Sequence, residues 1–197
     1  MEVLFYLWGG DVVGADISKE AISYAKNKYI SKNLHFIISN AEKLPFKDRN
    51  FDIILGFEMI EHLTNPQKFI EEAYRVLKKG GLLIISTPNK SLFSPNISPL
   101  IKYHIREFTL EEFTLLLNKF DHTLFGQHLI FKRALSINSL IALLSNYSDI
   151  VFWKRICGIM ITLSNKFFFT FERKGCFKSS EFGDRIPGVY IALCKKK

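Results

Sequence analysis

The chain has 197 residues, of which 48% are hydrophobic, 14% aromatic and 23% charged, with a formal net charge of +8 at pH 7. That length suffices for one domain with a proper core. No run reaches about 18 uncharged apolar residues, so no membrane-spanning helix is expected, and Glu2 with a short apolar start gives no secretory leader. Cys157, Cys176 and Cys194 are widely spaced without a CxxC and read as reduced thiols of a cytoplasmic protein.

In chain order, Val12–Ile17 is a short apolar run ending around Asp16 and predicts a buried parallel strand. Ser18 caps a helix to about Tyr29, with Ala21, Ile22, Ala25 and Tyr29 on one stripe. Leu34–Ile38 predicts the next strand, and Phe51–Phe57 another, apolar enough to be buried on both faces. Pro66 suits the first turn of a helix running to Lys79, with Phe69, Ile70, Ala73, Tyr74 and Leu77 inward and Gly80-Gly81 as its stop. Leu82–Ser86 returns as a strand. Thr109-Leu-Glu-Glu112 is a capping box for a helix to about Lys119, and His122–Lys132 with Val189–Cys194 gives a late antiparallel hairpin. This alternation predicts an α/β fold, a Rossmann-like and mostly parallel sheet with right-handed crossovers and an antiparallel edge hairpin. Residues 1–197 read as a single domain, with 134–172 as an apolar, basic lid or insert. Residues 131–178 hold eight basic and two acidic groups, a patch suited to an anionic substrate, a membrane surface or nucleic acid. Phe167-Phe-Phe-Thr-Phe171 within it can line a pocket, dip into a membrane interface or pack as core.

Open α/β sheets bind ligands at the carboxyl ends of their strands. Asp16 ends one strand, where a carboxylate can take both ribose hydroxyls of an adenosine. Ile17 can pack on the adenine face. Asn40 and Ala41 follow the next strand, where an amide and a backbone N–H can read the adenine edge. Phe57 ends the third and can wall the pocket. A second constellation is Glu58-Met-Ile-Glu61-His62. Offsets of three and four put Glu58, Glu61 and His62 on one face of a helical turn, a set able to hold Mg or Mn, with the imidazole also admitting Co or Zn. His62, or His104 in His104-Ile-Arg-Glu-Phe-Thr109, can accept a proton from a hydroxyl nucleophile. A set of pocket-shaping side chains without metal is the alternative.

The stretches VVGADISKEAISYAKNKY, NAEKLPFKDRNFDIILGFEMIEHL and EEAYRVLKKGGLLIISTPN together resemble the class I S-adenosylmethionine-dependent methyltransferases over residues 12–89. The resemblance implies ribose binding by Asp16 and adenine binding by Asn40 with Ala41, where the family more often has Asp than Asn40. Glu58, Glu61 and His62, with His104, resemble the metal site of small-RNA 2′-O-methyltransferases, and the first three that of ubiquinone-biosynthesis O-methyltransferases. The resemblance also implies an acidic-x-Gly-x-Gly-x-Gly loop about twenty residues before Asp16, after a central first strand. Gly9 and Gly10 lie too close to Asp16 to be that loop. Met1–Trp8 then reads as the tail of a helix, or Val3–Trp8 forms an antiparallel hairpin strand onto the next one. An amino-terminally truncated chain, a start further upstream and a degenerate relative all fit, and loss of the first strand is expected to open the sheet or expose an edge.

The expected activity is methyl transfer from S-adenosylmethionine to an oxygen of a metabolite, sugar or lipid-linked intermediate. Its partners are a small-molecule acceptor and, beside the basic stretch, a peripheral membrane surface, rather than nucleic acid. The alternatives are a non-catalytic remnant acting as a binding module and a nicotinamide-dependent oxidoreductase. The last is disfavoured because no GxGxxG occurs.

Overall fold

The computed structural model describes residues 3–6, 10–93, 104–127, 176–178 and 188–197. One sheet organises them. Its strands are β1 (Val3–Tyr6), β2 (Val12–Asp16), β3 (Leu34–Ile38), β4 (Phe51–Gly56), β5 (Leu77–Pro88), β6 (Asp121–Gln127), β7 (Cys176–Lys178) and β8 (Val189–Lys195). The helices are α1 (Lys19–Lys28), α2 (Pro66–Val76), α3 (Lys90–Phe93) and α4 (Leu110–Leu116), with one 3-10 turn at Ile60–His62. The strand order is β3-β2-β1-β4-β5-β8-β6-β7. β2 pairs β3 in parallel and β4 pairs β5 in parallel. β8 lies antiparallel between β5 and β6, which is the expected late hairpin. Residues 134–172 and the Phe167–Phe171 run lie outside the described residues.

β1 settles the reading of the chain start. It is a hairpin strand and not a helix tail. It runs antiparallel to β2, with Val3 opposite Ala15 and Tyr6 opposite Val12, and antiparallel to β4, with Leu4 opposite Leu55. The central slot is therefore filled, and the sheet does not open there. A hairpin can reach that slot with a short reversal, for which Gly10 supplies a φ of 100°. A parallel strand would need a crossover of a dozen residues or more. Reversal also fixes which end faces the site. Val3 lies level with Ala15, beside the carboxyl edge, and the turn into Val12 lies at the opposite edge.

Local chemistry sets the helix boundaries. The Ser18 hydroxyl accepts from Ala21 N at 3.1 Å, and Ile22 and Ala25 bury against Phe36 of β3. Asn65 caps α2 through Lys68 N at 3.2 Å, with Pro66 at the first turn. The α2 stripe of Phe69, Ile70, Ala73 and Val76 is fully buried. Full burial of one such side chain stabilises by about 1.5–3 kcal/mol, more than helix propensity can supply. α2 stops at Val76, short of the expected Lys79, because Leu77 turns extended and pairs with Phe51. The ammonium of Lys196 takes over the helix end, donating to the carbonyls of Tyr74 and Leu77. The α4 box is complete: Glu112 N donates to Thr109 Oγ1 at 3.2 Å, and Thr109 N donates to Glu112 Oε2 at 2.8 Å. The main core joins α2 and α4 to β4, β5 and β8 through Phe69, Phe113, Ile54, Ile85 and Ala192.

Candidate active site

β2, β3 and β4 point in the same direction and deliver Asp16, Ser39–Ala41 and Phe57 to one edge of the sheet. The Asp16 carboxylate is 5% exposed, and its Oδ1 accepts from Ser18 N at 2.8 Å, which fixes its rotamer at the start of α1. Ile17 beside it is 61% exposed. Asn40 is exposed and closes its own turn: Oδ1 accepts from Glu42 N at 2.8 Å, and its carbonyl accepts from Lys43 N at 3.0 Å. Ala41 is buried, with its side chain in the core. Phe57 follows β4 in a bend and is half-buried.

Ile38 was not singled out from the sequence. It is paired in register with Asp16 and is 54% exposed. With Ile17 it leaves apolar surface in water at the strand ends. No sequence signal marks it: at period two Ile38 falls on the face of buried Phe36, not with exposed His35.

The second constellation departs from its expected geometry. Glu58 is not on a helical turn with Glu61. It has a φ of 47°, in the left-handed region, and only Ile60–His62 form a 3-10 turn. Helical spacing does not apply across such a residue. Glu58 instead locks to β5: its N–H donates to Ser86 Oγ at 3.1 Å, and Ser86 Oγ donates to Glu58 Oε1 at 2.6 Å. Burial raises the Glu58 carboxyl above its ordinary range.

Glu61, His62 and His104 come together instead, with one ligand atom of each within 4.8 Å of the others. The two imidazoles meet edge to face at 5.0 Å. Glu61 is fully buried; Thr87 Oγ1 donates to its Oε2 at 3.3 Å. Its carbonyl accepts from Ile105 N and Arg106 N, which ties the His104 segment to the 3-10 turn. Burial, with the Glu58 charge next, pushes the Glu61 carboxyl up to about 8. His104 Nδ1 lies 3.1 Å from Glu107 Oε1, and its Nε2 lies 4.0 Å from Glu61 Oε1. With Nδ1 donating to Glu107, the Nε2 lone pair faces Glu61 Oε1, which has no hydrogen-bond partner among the described residues. Two acceptors aimed at each other call for a proton or a cation between them. Glu107 was missed in the sequence because a Glu three residues after a His signals nothing until both are buried.

The profile of the methyltransferase-domain family matches residues 2–85. A Mycobacterium tuberculosis protein named a probable S-adenosylmethionine-dependent methyltransferase is 35% identical over 107 residues, covering 54% of this chain and 38% of that protein. The ubiquinone/menaquinone biosynthesis C-methyltransferase of Vibrio vulnificus is 36% identical over 90 residues, covering 44% of this chain and 35% of that protein. The chain thus spans less than two fifths of these relatives' length. An S-adenosylmethionine-dependent methyltransferase structure from Thermotoga maritima superposes with a TM-score of 0.58 at 19% identity, over 94% of this chain and 72% of that one. Residues 2–85 thus match the methyltransferase-domain family, and the chain shares its fold with solved S-adenosylmethionine-dependent methyltransferases.

Proposed function

We propose that this chain transfers a methyl group from S-adenosylmethionine to an oxygen of a small-molecule acceptor in the cytoplasm. The observation that carries the reading is the placement of Asp16, Asn40–Ala41 and Phe57 on three consecutive parallel strand ends. S-adenosylmethionine supplies an electrophilic methyl on a good leaving group, so in-line positioning does most of the catalysis. Asp16 offers a buried carboxylate to the ribose hydroxyls. Ile17 and Ile38 offer exposed apolar surface to the adenine faces. Asn40 keeps a second lone pair on Oδ1 for the 6-amino group, beside the Ala41 N–H. Across the strand ends, His104 Nε2, held by Glu107 at Nδ1, accepts the proton of the attacking hydroxyl, with His62 as the neighbouring base. Alternatively Glu61, His62 and His104 hold a divalent cation, Mg or Mn, which would lower the pKa of a bound hydroxyl. Glu61 Oε1, without a hydrogen-bond partner among the described residues, supports that second reading. The basic stretch 131–178 favours an anionic or lipid-linked acceptor met at a membrane surface.

Among the described residues no glycine-rich loop follows a strand at this edge, since β1 runs the other way. Among the described residues the methionine end of the ligand therefore has no such cradle. Losing a few hydrogen bonds, some to charged groups, costs on the order of 3–5 kcal/mol. S-adenosylhomocysteine should bind this chain with an affinity roughly two to three decades below that of an intact site, through its adenosine. Titration calorimetry on the chain and on Asp16→Ala tests this. Micromolar binding indifferent to Asp16→Ala would remove the ribose assignment and the proposal with it.

A further inference from the structure

The adenine-reading residues sit on a segment with no regular structure of its own. Residues 39–50 connect β3 to β4 without a helix or strand. Asn40 to Lys43 form a closed unit, because both acceptors of Asn40 bond within it. What holds that unit lies on α2. Leu44 N, the next donor along, bonds Glu72 Oε2 at 2.8 Å. Glu72 in turn is gripped by the Arg75 guanidinium, Nε to Oε1 and Nη2 to Oε2, each at 2.7 Å. The same guanidinium reaches Leu44 O at 3.1 Å, Phe46 O at 2.8 Å and Asp48 Oδ1 at 2.8 Å. A second tie runs from Asn65 N at the α2 cap to Glu42 Oε1, at 2.7 Å. One planar, five-donor group thus satisfies two backbone carbonyls and two carboxylates at once.

We infer that Glu72 and Arg75 are positioning residues for base recognition, setting the angle at which Asn40 and Ala41 meet the adenine edge. This rests on the nucleotide-binding reading above and deepens it. The Asn40 unit is closed by its own hydrogen bonds, so a shift of Leu44 carries over to Oδ1 of Asn40 and to the Ala41 N–H. Lysine keeps the charge at position 75 but offers a single ammonium, which cannot span acceptors that a guanidinium fork reaches. Competing with this is apolar anchoring: Ala41 and Leu44 are both buried, and could hold the segment unaided.

Base discrimination separates the two. S-adenosylhomocysteine and its 6-oxo counterpart, S-inosylhomocysteine, differ only where Asn40 and Ala41 read. The wild-type chain should prefer the adenine form by about tenfold or more, since the 6-oxo base presents an acceptor to Oδ1 and a donor to the N–H. In Arg75→Lys the adenine form should weaken by about tenfold and the inosine form hardly at all, so that the ratio falls toward one. Glu72→Gln keeps an acceptor for Leu44 N and should fall between; it reads the same ratio if Arg75→Lys does not fold. Asp16→Asn, acting at the ribose, should weaken both ligands equally and keep the ratio. An unchanged ratio in both α2 variants, or parallel weakening of both ligands, would overturn the positioning role and leave the nucleotide reading intact. A wild-type chain that binds without preferring adenine overturns it too. Binding of neither ligand by the wild-type chain would overturn both.

Discussion

Glu61 is buried beside a second carboxylate, and that pairing dictates how the chain responds to pH. Its folded pKa of about 8 lies above the ordinary 4.5. The folded chain therefore holds a proton that the unfolded chain releases between those values. Stability from this group is present below the ordinary pKa and is lost as pH rises through about 8. In chelator-treated protein the melting temperature should fall across that window, and Glu61→Gln should flatten the slope while keeping an acceptor for Thr87. A divalent cation that displaces the proton reverses the trend. Mn or Mg should then raise the melting temperature above neutral pH, through a stabilisation of about 2.7 kcal/mol at a hundred times Kd, and Glu61→Gln should abolish the rise. No shift at millimolar Mn would leave the proton as the occupant between Glu61 and His104.

At the scale of elements, the β4–β5 junction shows how backbone proximity outranks propensity. β5 pairs Phe51 with Leu77 and then jumps to Ile53 with Leu82. Gly80 takes up the offset at a φ of 77° with open space around its Cβ position. Gly81 has no such room: a Cβ would meet the Lys78 carbonyl at 2.9 Å and the Asp52 carbonyl at 3.0 Å. Gly81→Ala should therefore destabilise by about 1–3 kcal/mol, and Gly80→Ala by about 1 kcal/mol through conformation alone. Chemical denaturation of both distinguishes them; a reversed order would mean that the backbone gives way at Gly81. The same junction explains what the sequence conceals. β3, β4, the caps at Ser18 and Thr109 and the Pro66 start of α2 are legible because their signals are local. The end of α2 is not, since it is set by Phe51 and Lys196 from distant parts of the chain. β7, with three residues, is too short to stand out as a pattern. Asp16 and Asn40 could be placed because strand ends follow from strands. Glu58 could not, because its positive φ breaks the spacing that a helix would impose.

Across the whole molecule, the sheet has a central strand, β1, that runs antiparallel to both of its neighbours. On one side β1 touches β2, its neighbour in the chain; on the other it touches β4, about fifty positions away. The two contacts differ in what they cost to form. Tyr6 and Val12 are joined by a short connection, so the β1–β2 ribbon can close before any other pairing exists, within microseconds in isolated hairpins. A parallel strand in that slot could not do so, because its pairing waits for a crossover. The reversed strand thus makes the centre of the sheet a place where assembly can begin early. Gly10→Ala, which strains a φ of 100° at the turn, should then slow refolding and leave the unfolding rate nearly unchanged. Stopped-flow chevrons would show it: the refolding limb should drop alone, and a rise confined to the unfolding limb would mean that the ribbon forms last.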